Sequence, residues 1–345
     1  MDKKYASRED IKIIQGIAVM LMVFHHLFGF PDRVSVSYYA PLDFGLIHLE
    51  TIIAYFGRIC VAIFSFCSGY GLYQKNMTIA QSGKWTLFGG YKEILQSIKK
   101  FYFRYWIVFI VFIPYGFYNN IYNFIPLQFV KNIFGIACTY NKEWWYVFTY
   151  LRLLVIFPLL FIFIRRTIGK GNRKSFFTKS IAVICLLSLL LYLNNDTEAG
   201  ILTYLITFYI GMLVAESDIL KKIFGCQNKL VGIGVFAAFM FSVGIRTFIT
   251  TKIDFLIAPV IIVCLIYWLH SKWAFKPLRY ILTIEGKYSQ YIWLTHTFFA
   301  YYYFQQQLYA FSISWIIFGV CLIVCTCIGV ILEIILRTGN KKLHL

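Results

Sequence analysis

Apolar runs, each about as long as a membrane-crossing helix, recur along the whole chain and are separated by short polar stretches. The first, Ile11–Phe30, reads IKIIQGIAVMLMVFHHLFGF. Twenty apolar residues are about what an α-helix needs to cross the roughly 30 Å hydrocarbon core. Nine further runs follow at Glu50–Tyr73, Phe103–Phe117, Trp144–Ile164, Ser180–Leu193, Ile201–Glu216, Leu230–Phe248, Phe255–His270, Ser289–Gln305 and Ile313–Leu336. The pattern predicts an all-α, polytopic membrane protein of about ten transmembrane helices, with residues 1–345 forming a single integral-membrane domain. No low-complexity tract, soluble linker or clear repeat interrupts it. The first run is too long for a signal-peptide core, and no small-residue cleavage site follows it.

Composition agrees. Apolar residues make up 60% of the chain and charged residues 14%, against about 45–50% and 25% in a soluble domain. Mean hydropathy is +0.69. The net charge of +18 would suit nucleic acid, but its placement gives another reading. Lys3, Lys4, Arg8 and Lys12 precede the first span, and further basic clusters fall at Lys99–Arg104, Arg165–Lys179, Lys221–Lys229, Lys272–Lys287 and Arg337–Lys342. The alternate loops keep only Arg33, Lys131, Lys142 and Lys252. The positive-inside rule then places both termini in the cytoplasm of a multi-pass cell-membrane protein. Most cysteines lie inside spans, where they act as small hydrophobes, and no Cys/His spacing points to a metal.

Ionisable residues inside spans are the candidate chemistry, since each costs on the order of 3 kcal/mol at mid-membrane. The first span carries His25 and His26, about 100° apart around the helix, so they face different ways. Gln15, eleven positions before His26, returns to nearly the same face about 16.5 Å along the axis. Arg58, Arg152, Arg246 and His296 also lie within spans, with Glu50 and Glu143 at outer entrances. Small residues Ser65, Ser68, Gly69 and Gly71 suit close helix approach. Trp144 and Trp145 read as an interfacial belt, or with Glu50 and Glu143 as contacts for a substrate. Histidine can accept and return a proton near neutral pH. Transfer of an acyl group to a hydroxyl needs such a base, with donors for the developing oxyanion, a task open to a buried Arg58. His296 either orients a substrate or packs. A secondary transporter or glycan exporter would use intramembrane charge equally well, yet no pair of broken helices marks inverted repeats.

Four segments resemble the membrane-bound acyltransferase-3 family. IKIIQGIAVMLMVFHHLF is similar to its opening helix, GRICVAIFSFCSGYGLY to its Val-x-x-Phe-x-x-Ser-Gly segment, and Trp144-Trp145-Tyr146 with Phe157-Pro158-Leu159-Leu160 to its middle helix. GKYSQYIWLTHTFF resembles its Gly-x-x-Ser-x-x-x-Trp-Leu-x-His signature. Together they span Ile11 to Phe299. The resemblance implies O-acylation, usually acetylation, of a cell-envelope saccharide or lipid-linked glycan, with acetyl-CoA as cytoplasmic donor and no metal. It also implies a bacterial cell membrane, and leaves homo-oligomerisation open. His26 takes the family's catalytic-histidine position. The basic position eleven residues earlier is Gln15 here, so Lys12 is expected to supply the missing charge towards the nucleotide. Arg104 stands alone where the family often carries paired arginines, with Phe101 at the first position, and Lys100 extends the basic collar. No SGNH-type domain is expected within residues 1–345.

Overall fold

The computed structural model describes residues 6–44, 47–168, 173–193, 200–217, 219–225, 229–249, 253–270 and 276–342. The outer loop expected at 194–198, Cys226, and the basic residues Lys3, Lys4, Lys170, Lys252 and Lys272 lie outside them. Helices follow in the order α1 Arg8–Phe28, α2 Leu49–Phe56, α3 Cys60–Gln81, α4 Leu87–Tyr118, α5 Pro126–Ile133, α6 Tyr146–Phe163, α7 Arg173–Leu193, α8 Ile201–Glu216, α9 Ile219–Gly225, α10 Lys229–Phe248, α11 Asp254–Leu269, α12 Lys276–Thr297, α13 Gln305–Tyr309 and α14 Ser314–Lys342. The only strands among the described residues are β1 Asp43–Phe44 and β2 Ile47–His48, a two-residue antiparallel pair. The fold is all-α because a helix satisfies its own backbone in lipid.

Helix underlies every expected span, but Glu50–Tyr73 is split between α2, a 3₁₀ turn at Gly57–Ile59 and α3, and Ser289–Gln305 runs from α12 through a π-helical turn at Phe298–Tyr302 into α13. Among the described residues, seven stretches are long and apolar enough to cross a membrane: Arg8–Phe28, Leu49–Gln81, Leu87–Tyr118, Lys142–Arg166, Lys174–Leu193, Lys229–Phe248 and Ser314–Gly339. The other three fall short. Helices α8 and α11 are apolar but have 16 residues each, and α12 carries Lys276, Arg279, Glu285 and Lys287 before its apolar half. The basic segment expected as a loop between Gln74 and Tyr102 is mostly helix, since α3 runs to Gln81 and α4 begins at Leu87.

The chain forms two compact units. One comprises Met1–Ala18, Ile59–Gln96 and Thr149–Thr283. Its helices α3 and α8 meet through residues without bulk. A Cβ on Gly69 would stand 2.0 Å from the Phe208 carbonyl oxygen, and one on Gly211 2.3 Å from that of Phe66. Ser65 Oγ donates to the Tyr204 carbonyl at 2.7 Å. The small-residue run therefore packs as its composition suggests, although Gly71 faces open space. Arg246 is paired with Asp254 here, and Asp10 meets His270 Nε2 at 2.9 Å and Arg279 Nη2 at 3.7 Å.

The other unit comprises Val19–Arg58, Ser97–Phe148 and Ile284–Leu345. Gly57 lets the short 3₁₀ turn between α2 and α3 press on α1, because a Cβ there would lie 2.3 Å from the Leu21 carbonyl oxygen. The segment 119–142 is a built element. Tyr105 Oη donates to the Asn132 carbonyl at 2.5 Å and Trp106 Nε1 to that of Ile133 at 2.9 Å, anchoring α5 on α4. Straight after α12, Phe298–Tyr302 forms a π-helical turn, closed by Tyr303 N–H donating to the Phe298 carbonyl at 2.8 Å.

Candidate active site

Helices α1 and α12 place His26 and His296 side by side, with His296 Nε2 2.8 Å from His26 Nδ1. Their partners dictate which nitrogens carry protons. His296 Nδ1 lies 2.9 Å from the carbonyl oxygens of both Ile292 and Trp293. A carbonyl only accepts, so Nδ1 is the protonated nitrogen and Nε2 carries the lone pair. His26 Nδ1 must then donate to it, which leaves the lone pair of neutral His26 on Nε2. Among the described residues no side chain hydrogen-bonds that nitrogen, and His26 is half-buried rather than sealed. An imidazole held in this tautomer presents a ready proton acceptor.

The adjacent histidine does something else. His25 is buried, and its Nδ1 meets the Ala54 carbonyl at 2.7 Å, tying α1 to α2. Gly29 leaves room for its ring, since a Cβ there would come within 2.8 Å of His25 Nδ1.

The π turn feeds a second layer to the pair. Tyr301 Oη donates to the His26 carbonyl, and Tyr302 Oη to Glu143 Oε2 at 2.9 Å. The other Glu143 oxygen accepts from Arg33 Nη1 at 2.7 Å, and its backbone carbonyl accepts from Trp293 Nε1 at 3.1 Å. Asn141 holds Glu143 N–H at 3.2 Å and donates through Nδ2 to Thr297 Oγ1 at 2.8 Å. The Arg33 guanidinium stacks 3.8 Å from the Tyr301 ring centre. Burial opposes its charge, but the Glu143 carboxylate outweighs this and raises its pKa above the ordinary guanidinium value.

Of the residues singled out from sequence, His26, His296 and Glu143 come together. Trp144 is a correction. It is 1% exposed, donates through Nε1 to the Leu294 carbonyl at 3.1 Å, and packs edge-on against Tyr105 and Phe298. It is therefore a core residue that seats α12, neither an interfacial belt nor an exposed substrate contact. Trp145 is half-buried against Tyr146. Glu50 is buried and accepts from Leu42 N–H at 2.9 Å and Trp315 Nε1 at 3.0 Å, a loop-organising role. Arg58 is half-buried in the 3₁₀ turn Gly57–Ile59. Lys12 and Gln15 are joined, Nζ donating to Oε1 at 2.9 Å. Lys100 is exposed on α4. Arg104 is engaged by Glu333, with Nε at 3.1 Å from Oε2, and Tyr291 Oη donates to the same carboxylate at 2.9 Å. Among the described residues no group of His, Cys, Asp and Glu is arranged to hold a metal ion.

Arg33, Tyr301, Tyr302, Asn141 and Thr297 escaped the sequence reading. The Tyr301–Tyr303 run five residues past His296 was the available signal, but only the π turn reveals where those rings point.

No curated protein and no solved structure matches the chain. A family model described as an acyltransferase domain matches residues 8–334, nearly the whole length. With its long apolar helices and that match, this chain belongs to the acyltransferase-3 family of membrane acyltransferases.

Proposed function

We propose that this membrane acyltransferase moves an acetyl group from cytoplasmic acetyl-CoA to a hydroxyl of a cell-envelope saccharide, with His26 as general base. The observation that carries the reading is the histidine pair, whose tautomers leave His26 Nε2 able to take a proton. As the hydroxyl oxygen bonds to the thioester carbonyl carbon, its proton passes to His26 Nε2 and the carbonyl π pair moves onto oxygen. Collapse restores the C=O, breaks the C–S bond, and the leaving thiolate recovers the proton from His26. His296 acts as a positioning residue: its Nε2 accepts from His26 Nδ1–H and keeps the working nitrogen bare.

Lys12 and Gln15 form a cation–amide pair suited to phosphate oxygens. Arg104 already faces a carboxylate, so donor binding is assigned first to Lys12 and Gln15. The basic asymmetry supports cytoplasmic termini. The purified full chain in lipid nanodiscs should release thiol from acetyl-CoA, and the acetyl content of the envelope glycan, read by NMR, should fall in cells lacking the protein. Failure of acetyl-CoA turnover under all acceptors tried would overturn the reading.

A further inference from the structure

Arg33 follows α1 by five residues and lies beyond His26 from Lys12, so it belongs to the end of the helix opposite the proposed donor contacts. It is rigidly placed. Pro31–Arg33 is a 3₁₀ turn with Pro31 at its first position, and Arg33 N–H donates to the Phe30 carbonyl at 3.0 Å. Gln305 staples the turn, with Nε2 donating to the Arg33 carbonyl at 2.9 Å and Oε1 accepting from Ser35 Oγ at 2.8 Å.

The guanidinium lies beside the histidine pair. The Phe30 ring is 6.0 Å from the His26 ring and 5.6 Å from Arg33 Cζ. Tyr301 links the same two residues, its hydroxyl on the His26 carbonyl and its ring under Arg33. One N–H goes to Glu143. Arginine has five such donors, and among the described residues the others have no hydrogen-bond partner, while the side chain is 32% exposed. Glu143 itself is 6% exposed, with one oxygen on Arg33 and the other on Tyr302. A pair left only to clamp helices would be closed like Arg246 with Asp254. This one keeps a reachable edge of donors, its positive charge balanced from behind.

We infer that Arg33 is the acceptor-positioning residue: its open guanidinium edge donates to the oxygens of a neutral, hydroxyl-rich saccharide and sets one hydroxyl against His26 Nε2. The balanced charge disfavours a strongly anionic acceptor, and the adjoining Phe30 and Tyr301 rings suit the apolar face of a sugar. This inference rests on the acyl-transfer reading above.

The test uses the full chain in nanodiscs, acetyl-CoA, and methyl β-glucopyranoside or maltose as probe acceptors, with thiol release and ester mass as readouts. Arg33→Gln should raise the saccharide KM by at least about tenfold, the scale of a lost hydrogen bond to a charged group, while the acetyl-CoA KM stays within about twofold. Arg33→Lys should fall between. A fall in kcat with both KM values unchanged would overturn the inference in favour of transition-state charge stabilisation. A uniform loss that tracks a lowered melting temperature would overturn it in favour of a structural clamp. A preference of more than about tenfold for methyl glucuronide over the neutral glucoside would overturn the neutral class. Thiol release to water with none to either saccharide would overturn this inference and leave acyl transfer standing, whereas no thiol release at all would remove the function it rests on.

Discussion

Two arginine–carboxylate pairs, one in each unit, separate charge used for holding from charge available for work. Arg246 is 2% exposed and meets both oxygens of Asp254, eight residues away, joining the end of α10 to the start of α11. Arg33 reaches Glu143 across 110 residues of sequence and keeps an open edge beside His26. Taking two charges out of water is expensive, and close pairing mainly repays that cost. The Arg246 pair therefore stabilises a local geometry and presents nothing outward. The Arg33 pair forgoes part of its burial, and its carboxylate also receives Tyr302 from the π turn that follows His296.

The largest effect that would break this division is at His26. His26→Ala should lower transfer by about 10²–10⁴-fold, the range for a lost acid–base group, with expression and melting temperature near wild type. His25→Ala should do the reverse: it removes the tie to Ala54, worth about 1 kcal/mol, and leaves transfer within a few-fold once folded protein is matched. Equal losses of transfer in the two variants would mean that the tautomer argument picks out nothing.

Next comes the closed pair. Arg246→Ala strands Asp254 and should cost about 3–5 kcal/mol of stability, as breaking buried pairs does, read as a lower melting temperature in detergent. Transfer per folded molecule should hold. The double replacement Arg246→Met with Asp254→Leu should recover most of the loss. A low-activity, fully stable Arg246→Ala would place this pair with the working charges.

A smaller effect sharpens the other side. His296→Leu leaves His26 Nδ1–H without its acceptor, and an orphaned donor costs about 1–3 kcal/mol, so transfer should fall roughly tenfold. His296→Gln can offer an amide oxygen at that place and should restore part of the rate. If the Gln and Leu variants are equally impaired, His296 is not acting through that hydrogen bond.

How far this division could be read beforehand depended on the range of the interactions. Apolar runs of about 20 residues betray helices because lipid permits little else, so α1, α3, α6, α10 and α14 were all legible. The angular step between His25 and His26 likewise turns the two rings to different partners, the Ala54 carbonyl and His296. Helices α8 and α11 were visible as runs, yet their 16 residues leave them short by length alone. What could not be read was long-range pairing. Glu143 was picked out by its neighbours, but nothing in a linear chain joins it to Arg33. Trp144 carries the signature of an interfacial residue and is instead buried, because Leu294 offers its indole N–H an acceptor inside the unit. Arg104 meets Glu333, 229 residues on, a pairing that nothing local to either residue signals. The π turn at Phe298–Tyr302 follows no local rule at all, although it aims two tyrosines at the site.

The smallest predicted effect concerns a third way of arranging a cation. Lys12 donates to the neutral amide of Gln15 at 2.9 Å, a partner without charge of its own, unlike the Glu143 carboxylate that meets Arg33. Positions three apart share a helix face, which lets the two side chains meet a ligand together. The long lysine stem can also follow the apolar helix surface while its head stays in water. A phosphate oxygen arriving there would gain an ion pair with the ammonium and a hydrogen bond from the amide N–H, both strengthened by the phosphate's charge. Lys12→Ala should therefore raise the acetyl-CoA KM about three- to tenfold and leave saturating kcat largely intact, the pattern of lost uniform binding. Gln15→Ala should raise it less, and Gln15→Lys should lower it or leave it unchanged. Arg104→Ala removes one of three partners of Glu333, leaving Tyr291 and Arg337, so it should act on stability before donor affinity. If instead Lys12→Ala leaves donor KM unchanged and Arg104→Ala abolishes donor binding at matched stability, the phosphate contact is on α4, and the cation beside Gln15 is another structural charge.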